Sequence, residues 1–395
     1  MEFQKGKSPF YPGQPVPLEL FTGRQLQIDR IERAIKQVTL GKPQSIYLTG
    51  DYGIGKSSLA SFVRALAEKR HNLFGIHVLL GSAENEIDLA SKTVKAVLET
   101  ESYEPNKTET VRNFLAKYIG NQQIFGLTLN FDALKKDAPD ISRGFLPFLR
   151  EILNKLQPSG TKGIVLILDE LNGITKNPQF AYFIKNLVDE NALSASPLPL
   201  LLMLCGVEER RKEMVLKHQP VDRIFEIIKI EPLNNEEQID FYQKSFTSVG
   251  CKTDPAALQN IANYTGGFPK AMHIIGNNVF WLDKDNVIDM SDAVRGIVSA
   301  AKEIGEQFVD DQVYKELKSK DYQSILKKLG KENFDIGFDK SEIEGKLNEA
   351  EKKKFNNFLQ KMKKLNVLKS GTERGEYIFS NRLIRLYIRM NSVKE

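Results

Sequence analysis

The feature that most constrains this chain is a glycine-rich turn that joins an apolar run to a helical pattern. Ser45–Thr49 has the composition of a short buried strand, and Ser57–Lys69 has helical periodicity. Glycines in such a turn let several backbone N–H groups converge on one anion, and the following helix adds unpaired N–H groups and its positive dipole end. The sequence therefore predicts an anion-binding loop at this junction. The loop reads Gly50-Asp51-Tyr52-Gly53-Ile54-Gly55-Lys56-Ser57-Ser58.

The loop has the Walker A spacing, Gly-x-x-x-x-Gly-Lys-Ser. In this pattern the lysine reaches the β- and γ-phosphates, and the serine hydroxyl is a Mg²⁺ ligand. We therefore expect Lys56 to act on the phosphates and Ser57 to bind the metal. All nine loop residues are expected to contact the nucleotide, with ATP and Mg²⁺ as cofactors.

A second apolar run ends in two carboxylates. Ile164–Leu168 is followed by Asp169 and Glu170. An acid at the end of a neighbouring strand is the other half of a phosphate-loop site. Asp169 would hold Mg²⁺, directly or through water, and Glu170 would polarise the attacking water. The paired acids favour hydrolysis, and a kinase that phosphorylates a small molecule is the enzyme alternative.

Strand-like and helix-like stretches alternate through the first part of the chain. This order predicts an α/β fold with a mostly parallel sheet covered by helices on both faces. Besides the run before the loop, the predicted strands are Gly75–Leu80, Gly163–Leu168, Leu198–Cys205 and Phe225–Ile230. The helices between them are Ala83–Leu98, Thr108–Ile119, Arg143–Leu156 and Gln179–Asn191.

Composition changes suggest four regions. Residues 1–20 carry four of the sixteen prolines and are expected to form an irregular extended arm. Residues 21–232 would be the nucleotide-binding core. Residues 233–305 read as helices only, and residues 306–395 become rich in lysine.

The positive charge is concentrated at the C-terminus. Residues 321–395 hold 17 Lys+Arg against 11 Asp+Glu, a charge of +6, whereas the other 320 residues hold 39 against 40, a charge of −1. This asymmetry indicates a polyanionic partner for the last region.

No apolar run approaches the roughly 20 residues that a membrane helix needs, and the N-terminus lacks a signal-like segment. Cys205 and Cys251 are the only cysteines, and the four histidines show no metal-ligand spacing. The sequence therefore predicts a cytoplasmic protein with no membrane contact.

Residues 321–390 have the pattern of a winged helix. The third helix, Glu349–Leu365, would turn its apolar face to the core, and Val367–Lys369 and Tyr377–Phe379 would form a two-stranded wing. Such a module can place its third helix in the major groove of duplex DNA. The alternative is a solvated lysine face that contacts protein. The candidate nucleic-acid residues are Lys352, Lys353, Asn356, Asn357, Gln360, Lys361, Lys364 and, on the wing, Arg374.

With these motifs in place, the chain resembles the AAA+ P-loop NTPases, in particular the branch of archaeal-type ATPases, origin-recognition-like proteins and STAND ATPases. Phe21-Thr22-Gly23-Arg24 is similar to the family box beside the adenine, which implies nucleotide contacts from Phe21, Gly23 and Arg24. Thr265–Lys270 resembles the "G-G-x-P" segment of a helical lid, which implies that Pro269 and Lys270 face the nucleotide.

Val221–Phe225 resembles the box that carries an arginine finger. This likeness implies that Arg223 acts on the nucleotide of a neighbouring subunit and that the ATP-bound chain forms a homo-oligomer. Arg223 could instead pair with Asp222 or Glu226, and Arg210 and Arg211 are competing finger candidates.

Two positions depart from the family pattern. Cys205 stands near the end of the fourth strand, where the family usually has a polar sensor residue, and Lys270 stands where relatives tend to have arginine. Slow turnover, as in a switch, is compatible with both.

Three classes of function remain open. The chain could be a DNA-associated ATPase, as in replication, transposition or maintenance of mobile elements. It could be a signalling or defence switch whose winged helix binds a separately encoded protein. It could also be a transcription regulator gated by nucleotide.

Overall fold

The computed structural model describes residues 6–14, 21–99, 105–119 and 141–393. The chain forms two compact units. The nucleotide-binding unit comprises residues 15–231, and the helical unit comprises residues 1–14 together with 232–395. Parts of the predicted arm, residues 1–5 and 15–20, lie outside the described residues.

A parallel sheet of five strands is the centre of the nucleotide-binding unit as far as the structure describes it. The spatial order is β2-β3-β4-β1-β5, and every neighbouring pair is parallel. The strands are β1 Gln44–Thr49, β2 Leu73–Leu79, β3 Gly163–Asp169, β4 Leu200–Gly206 and β5 Glu226–Lys229. The sequence therefore predicted these strands correctly, with ends that differ by one or two residues.

Helices cover this sheet, and strands β3 and β4 are buried along their whole length. Continuous apolar runs are what strands covered on both faces require. The helices are α1 Gln25–Thr39, α2 Lys56–His71, α3 Glu86–Glu99, α4 Pro105–Ile119, α5 Ile141–Leu156, α6 Pro178–Leu193 and α7 Glu208–Lys217. The predicted α/β fold is confirmed.

The helical unit begins with a cluster of helices around one apolar core. They are α8 Asn235–Ser248, α9 Pro255–Thr265, α10 Pro269–Leu282 and α11 Met290–Ile304, and a π-helix, Gly305–Tyr314, continues α11. The prediction of helices only was wrong here. Strands β6 Lys252–Thr253 and β7 Val287–Ile288 pair in parallel, and segments of two residues are too short to show a strand pattern.

The N-terminal arm packs on these helices. Phe10 is 4% exposed, and its ring lies 5.1 Å from the ring of Phe246. A Cβ atom at Gly276 would lie 2.3 Å from the Phe10 ring, so the glycine makes room for it. The Tyr11 backbone N–H donates to Nδ1 of the buried His273 at 3.2 Å. Residues 6–14 contain no helix or strand, and Phe10 anchors them to the core of the helical unit.

The C-terminal part has its own apolar core. Helices α12 Lys320–Lys331, α13 Lys340–Glu344, α14 Glu349–Lys364 and α15 Arg382–Val393 are accompanied by strands β8 Gly337–Asp339, β9 Leu368–Ser370 and β10 Glu376–Phe379. The predicted two-stranded wing is incomplete, because β8 pairs with β10 and gives the order β8-β10-β9. The side chains predicted for the core side of α14 are buried at Phe355, Phe358, Leu359 and Met362.

We expect Phe10→Ala to lower the free energy of unfolding of the helical unit by about 3–5 kcal/mol, because a buried aromatic ring is removed. Urea unfolding followed through Trp281, the only tryptophan, reports on this unit. Tyr11→Ala is the matched control, because the Tyr11 side chain is less buried. An equal loss for both variants would contradict the anchoring role of Phe10.

Candidate functional site

The phosphate loop lies at the carboxyl edge of the sheet. It follows β1 directly, and α2 begins at Lys56. In the parallel register Thr49 at the end of β1 is opposite Gly206 at the end of β4, and β3 pairs with the other side of β4. The ends of three strands that carry candidate residues therefore meet at one edge.

Backbone geometry at the loop requires glycine. Gly53 and Gly55 have φ of 75° and 95°, the left-handed region in which side chains are disfavoured. Gly50 has a different role, because a Cβ atom there would lie 2.9 Å from the carbonyl oxygen of Ile230. The loop backbone therefore carries no side chain at these three positions, and the first turn of α2 presents N–H groups that have no partner within the helix.

Lys56 folds back over the loop. Its Nζ donates to the carbonyl oxygens of Gly50 and Asp51, each at 2.9 Å. Burial lowers the pKa of this ammonium group, and the nearby carboxylate of Asp169 opposes that effect. The lysine is thus a charged group held at the loop by neutral carbonyl oxygens.

Asp169 is a buried carboxylate at the end of β3, only 1% exposed. Burial alone would raise its pKa, but hydrogen bonds from His77 and Ser57 lower the pKa below the ordinary value. Nε2 of His77 lies 3.3 Å from Oδ2, and the Glu170 backbone N–H donates to Oδ1 at 2.8 Å. The structure therefore places the predicted metal ligands, Ser57 and Asp169, side by side.

Glu170 differs from Asp169 in both exposure and backbone. Its side chain is exposed, and its φ is 59°, which turns the chain sharply away from the end of β3. A Cβ atom at Gly81, after β2, would lie 2.8 Å from Oε2 of Glu170. The exposed carboxylate of Glu170 can therefore accept a proton, while the buried carboxylate of Asp169 beside it stays ionised.

The Phe21–Arg24 box before α1 also contacts the loop. Arg24 is 7% exposed, and its guanidinium donates to the Ile54 carbonyl oxygen at 3.0 Å and to the carbonyl oxygen of Glu231. Phe21 stacks on Phe62 of α2 with ring centroids 4.7 Å apart. Gly23, with φ of 74°, makes the turn between them. Arg24 therefore supports the loop backbone; its predicted contact with nucleotide stays a prediction.

Cys205 lies near the end of β4 and is fully buried. Burial raises the pKa of its thiol, and the nearby Asp169 carboxylate raises it further. The group is therefore a neutral thiol in the surroundings of Asp169 and Lys56.

The finger candidates differ in how they are paired. Asp222 pairs with Arg211, and Glu226 pairs with Arg30 at 2.7 Å. Both acids considered as partners of Arg223 are thus engaged elsewhere. Arg223 is exposed and forms no ion pair with the residues that the structure describes.

Pro269 and Lys270 belong to the helical unit, where they begin α10. The preceding Gly267 accepts a hydrogen bond from the Leu233 backbone N–H at 2.9 Å. The predicted role of Pro269 and Lys270 at the nucleotide stays a prediction.

The polar face of α14 carries the candidate nucleic-acid residues. Lys353, Asn356, Asn357, Gln360, Lys364 and, before β10, Arg374 are exposed, whereas Lys352 and Lys361 are half-buried. Lys352 pairs with Glu349 at 3.0 Å and Lys361 with Glu316 at 3.1 Å. The polar face of α14 is therefore accessible to solvent, and two of its lysines are paired with carboxylates of the same chain.

Sequence reasoning missed His77, because it considered histidine only as a metal ligand. The useful signal was the position of His77 near the end of a strand next to β3. A histidine there can reach the carboxylate at the end of its neighbour, here 92 residues away along the chain.

The sheet order, the loop and the carboxylates at its edge define the class of P-loop nucleotide-binding proteins. Residues 20–216 match the family described as AAA ATPase domain, and the unit has the P-loop AAA+ ATPase fold. Among proteins with curated descriptions, none matches the sequence significantly.

Solved structures with a similar fold cover nearly the whole chain. The ORC2 protein of Aeropyrum pernix, in ADPNP–ADP complexes, matches with a TM-score of 0.58 and 12% identity, covering 99% of this chain and 98% of its own. A Walker-type ATPase of Pyrococcus abyssi matches with a TM-score of 0.55 and 16% identity, covering 93% and 96%. Among the described helices, none is long and apolar enough to cross a bilayer.

The residues present fit a Mg²⁺-bound nucleotide. The loop offers backbone N–H groups and a lysine for phosphate oxygens, and Ser57 and Asp169 offer the hard oxygen ligands that Mg²⁺ prefers.

We expect His77→Leu to raise the Mg²⁺ concentration needed for half-maximal binding of an ATP analogue by about tenfold. The hydrogen bond from His77 favours the ionised form of Asp169, so its removal raises the pKa of Asp169. The increase in the Mg²⁺ requirement should therefore become larger as the pH falls towards 5. Mg²⁺ titrations of analogue binding at several pH values measure this.

His71→Leu is the matched control, because His71 also contacts a carboxylate, Glu32, at 3.1 Å. A pH-independent effect of equal size in both variants would contradict the assigned role of His77.

Proposed function

We propose that this chain is a Mg²⁺-dependent ATPase switch in which nucleotide state controls assembly, on DNA or with a protein partner. The observation that carries the proposal is the meeting of Lys56, Ser57 and Asp169 at one edge of the sheet, with Glu170 exposed beside them.

The roles follow from the chemistry of each group. The loop N–H groups and Lys56 would bind phosphate oxygens, while Ser57 and Asp169 would hold Mg²⁺, which neutralises phosphate charge when bound. Glu170 would orient a water molecule and accept its proton on a carboxylate oxygen. The nucleotides in the A. pernix ORC2 structure support the choice of ATP as ligand.

A homo-oligomer in the ATP-bound state is part of the proposal. Arg223 is exposed and unpaired among the described residues, as a group that acts on a neighbouring subunit needs to be. A guanidinium directed at a phosphate makes strong, charge-assisted hydrogen bonds. Replacing Arg223 would then reduce turnover in the assembled protein and leave nucleotide binding by the single chain intact.

We expect Glu170→Gln to retain ATP binding, to lower turnover at least about 100-fold and to accumulate the assembled, ATP-bound state. Lys56→Ala should abolish nucleotide binding. Isothermal titration gives the affinity, phosphate release gives the turnover, and sedimentation gives the assembly state. Loss of ATP binding in Glu170→Gln would show that the base is assigned wrongly.

Duplex DNA is the polyanionic partner that the charge distribution favours. The last 75 residues carry the net positive charge, and the exposed face of α14 combines lysines with two asparagines and a glutamine. Lysines serve phosphates as point charges, while amide side chains can read base edges. The buried phenylalanines of α14 argue against stacking on single strands.

The ion pairs on this face do not oppose the proposal. An ion pair with side chains as accessible as those of Lys361 and Glu316, 32% and 57% exposed, is weak, so a DNA phosphate can replace the carboxylate. These ion pairs determine how much of the positive charge on α14 is left unbalanced before DNA binds.

We expect the double variant Lys353→Ala, Lys364→Ala to weaken duplex binding and to reduce the slope of log affinity against log salt by about 2, since two phosphate contacts are lost. Glu316→Gln should strengthen binding, because it releases Lys361. Lys252→Ala, Lys284→Ala is the charge-matched control on the α8–α11 cluster. Fluorescence anisotropy over a salt series measures all three.

Absence of salt-sensitive duplex binding by the wild-type chain would favour the signalling or defence switch, in which this module binds protein. Binding that depends on DNA sequence and nucleotide, without DNA-stimulated turnover, would favour a nucleotide-gated transcription regulator.

A further inference from the structure

The phosphate loop needs hydrogen-bond donors for its own carbonyl groups. In a trans peptide the C=O and the N–H point in opposite directions, so a loop that turns its N–H groups towards an anion turns its carbonyl oxygens outwards. A buried carbonyl oxygen is costly unless a donor pairs with it. The groups that hold the outward carbonyl oxygens therefore determine where the N–H groups of the loop point.

Two cations of the chain hold carbonyl oxygens of the loop. Lys56 donates to the carbonyl oxygens of Gly50 and Asp51. Arg24, which lies outside the loop, donates to the carbonyl oxygen of Ile54 at 3.0 Å. In the proposed function Lys56 turns to the phosphates when nucleotide binds and gives up its two carbonyl contacts. Arg24 has no such second role and can keep its contact throughout.

The carbonyl group that Arg24 holds belongs to the same peptide as the N–H of Gly55. Ile54 is 1% exposed, so water does not replace the guanidinium as a donor. Gly55 has φ of 95°, and a glycine at this position leaves the peptide before it easy to rotate. Holding the Ile54 oxygen therefore fixes the direction of the Gly55 N–H, which points away from Arg24.

Arg24 is itself held in one position. Its guanidinium also donates to the carbonyl oxygen of Glu231. The N–H of the preceding residue, Ile230, donates to the carbonyl oxygen of Thr49 at 2.7 Å, directly before the loop. The Glu231 carbonyl group is thus tied to the end of β1, and the guanidinium spans from there to the loop. The backbone of Arg24 has φ of 67°, which is unfavourable for a residue with a side chain and indicates that its placement matters.

We propose that Arg24 is a positioning residue of the phosphate loop, which holds the Ile54–Gly55 peptide so that the Gly55 N–H faces the bound phosphate. It acts through the loop backbone, without contact to the base or the ribose. The inference rests on the proposed function of the site. Because loop N–H groups bind the α- and β-phosphates, which ADP and ATP share, Arg24 supports the binding of both nucleotides equally.

The effect on affinity is measured by calorimetric titration with Mg²⁺–ADP and with Mg²⁺ and a non-hydrolysable ATP analogue. Arg24→Ala should weaken both by the same factor, about 10- to 100-fold, because the shared phosphates lose a loop donor. Arg24→Lys keeps the charge but cannot span two carbonyl oxygens, so its affinities should lie between those of Arg24→Ala and the wild type.

Arg30→Ala is the matched control, since Arg30 also bridges α1 and β5. It donates to the carbonyl oxygen of Ile227 at 3.0 Å and pairs with Glu226, away from the loop. Its replacement should change both affinities by less than about twofold. A loss in Arg30→Ala equal to that in Arg24→Ala would show a general effect on the unit and would overturn the positioning role.

The environment of the Gly55 N–H is observed by proton–nitrogen NMR of the chain labelled with ¹⁵N-glycine. A hydrogen bond to phosphate moves an amide proton to low field. Spectra at saturating Mg²⁺–ADP compare fully bound chains, so differences in affinity do not enter. The wild type and Arg30→Ala should show a low-field Gly55 signal, and Arg24→Ala should lose it.

The two measurements distinguish a positioning role of Arg24 from a direct contact with nucleotide. A low-field Gly55 signal that survives in Arg24→Ala, or that is missing in the wild type, would overturn the positioning role. If Arg24→Ala does not fold, Arg24→Lys carries both measurements, and an unchanged affinity with an unchanged Gly55 signal would overturn it. Failure of the wild-type chain to bind either nucleotide would instead overturn the proposed function itself.

Discussion

The buried charge of Asp169 is the constraint on which the site depends. A carboxylate with 1% exposure stays ionised only when donors replace the lost water. Its donors come from three places: His77 on β2, Ser57 at the start of α2, and the backbone N–H of Glu170. The parallel register of β2 with β3, the phosphate loop and the sharp turn at Glu170 therefore have to form together. The same turn leaves the Glu170 carboxylate exposed where a water molecule can reach it.

The phosphate loop depends equally on contacts far along the chain. Gly50 passes close to the carbonyl oxygen of Ile230, and Arg24 connects the Ile54 and Glu231 carbonyl groups. Glu231 is the last residue of the nucleotide-binding unit. A change of loop conformation would therefore alter the contacts of residues 230 and 231, at the end of this unit, as the proposed switch requires.

Local patterns in the sequence predicted the strands of the sheet, the loop and the apolar face of α14, because apolar runs and 3–4 spacing need no knowledge of distant contacts. Strands β6, β7 and β8 escaped prediction, since two or three residues carry no periodicity and their pairing is set by tertiary structure. The contacts of His77, Arg24 and Phe10 also join residues distant in sequence, 92 apart for His77 and Asp169. Only the folded chain shows them. The roles assigned to Arg223, Lys270 and the lysines of α14 concern partners, and these roles remain predictions.

The central claim is that the phosphate loop and the segment after β3 form one site for Mg²⁺ and ATP. Hydrogen–deuterium exchange of the Glu170→Gln chain, with and without Mg²⁺ and ATP, tests it most directly. The account predicts that both residues 50–58 and residues 169–176 exchange more slowly with ATP and Mg²⁺ than with ADP and Mg²⁺ or with neither. Protection of the loop alone, equal with ADP and ATP, would contradict a shared site that responds to the terminal phosphate.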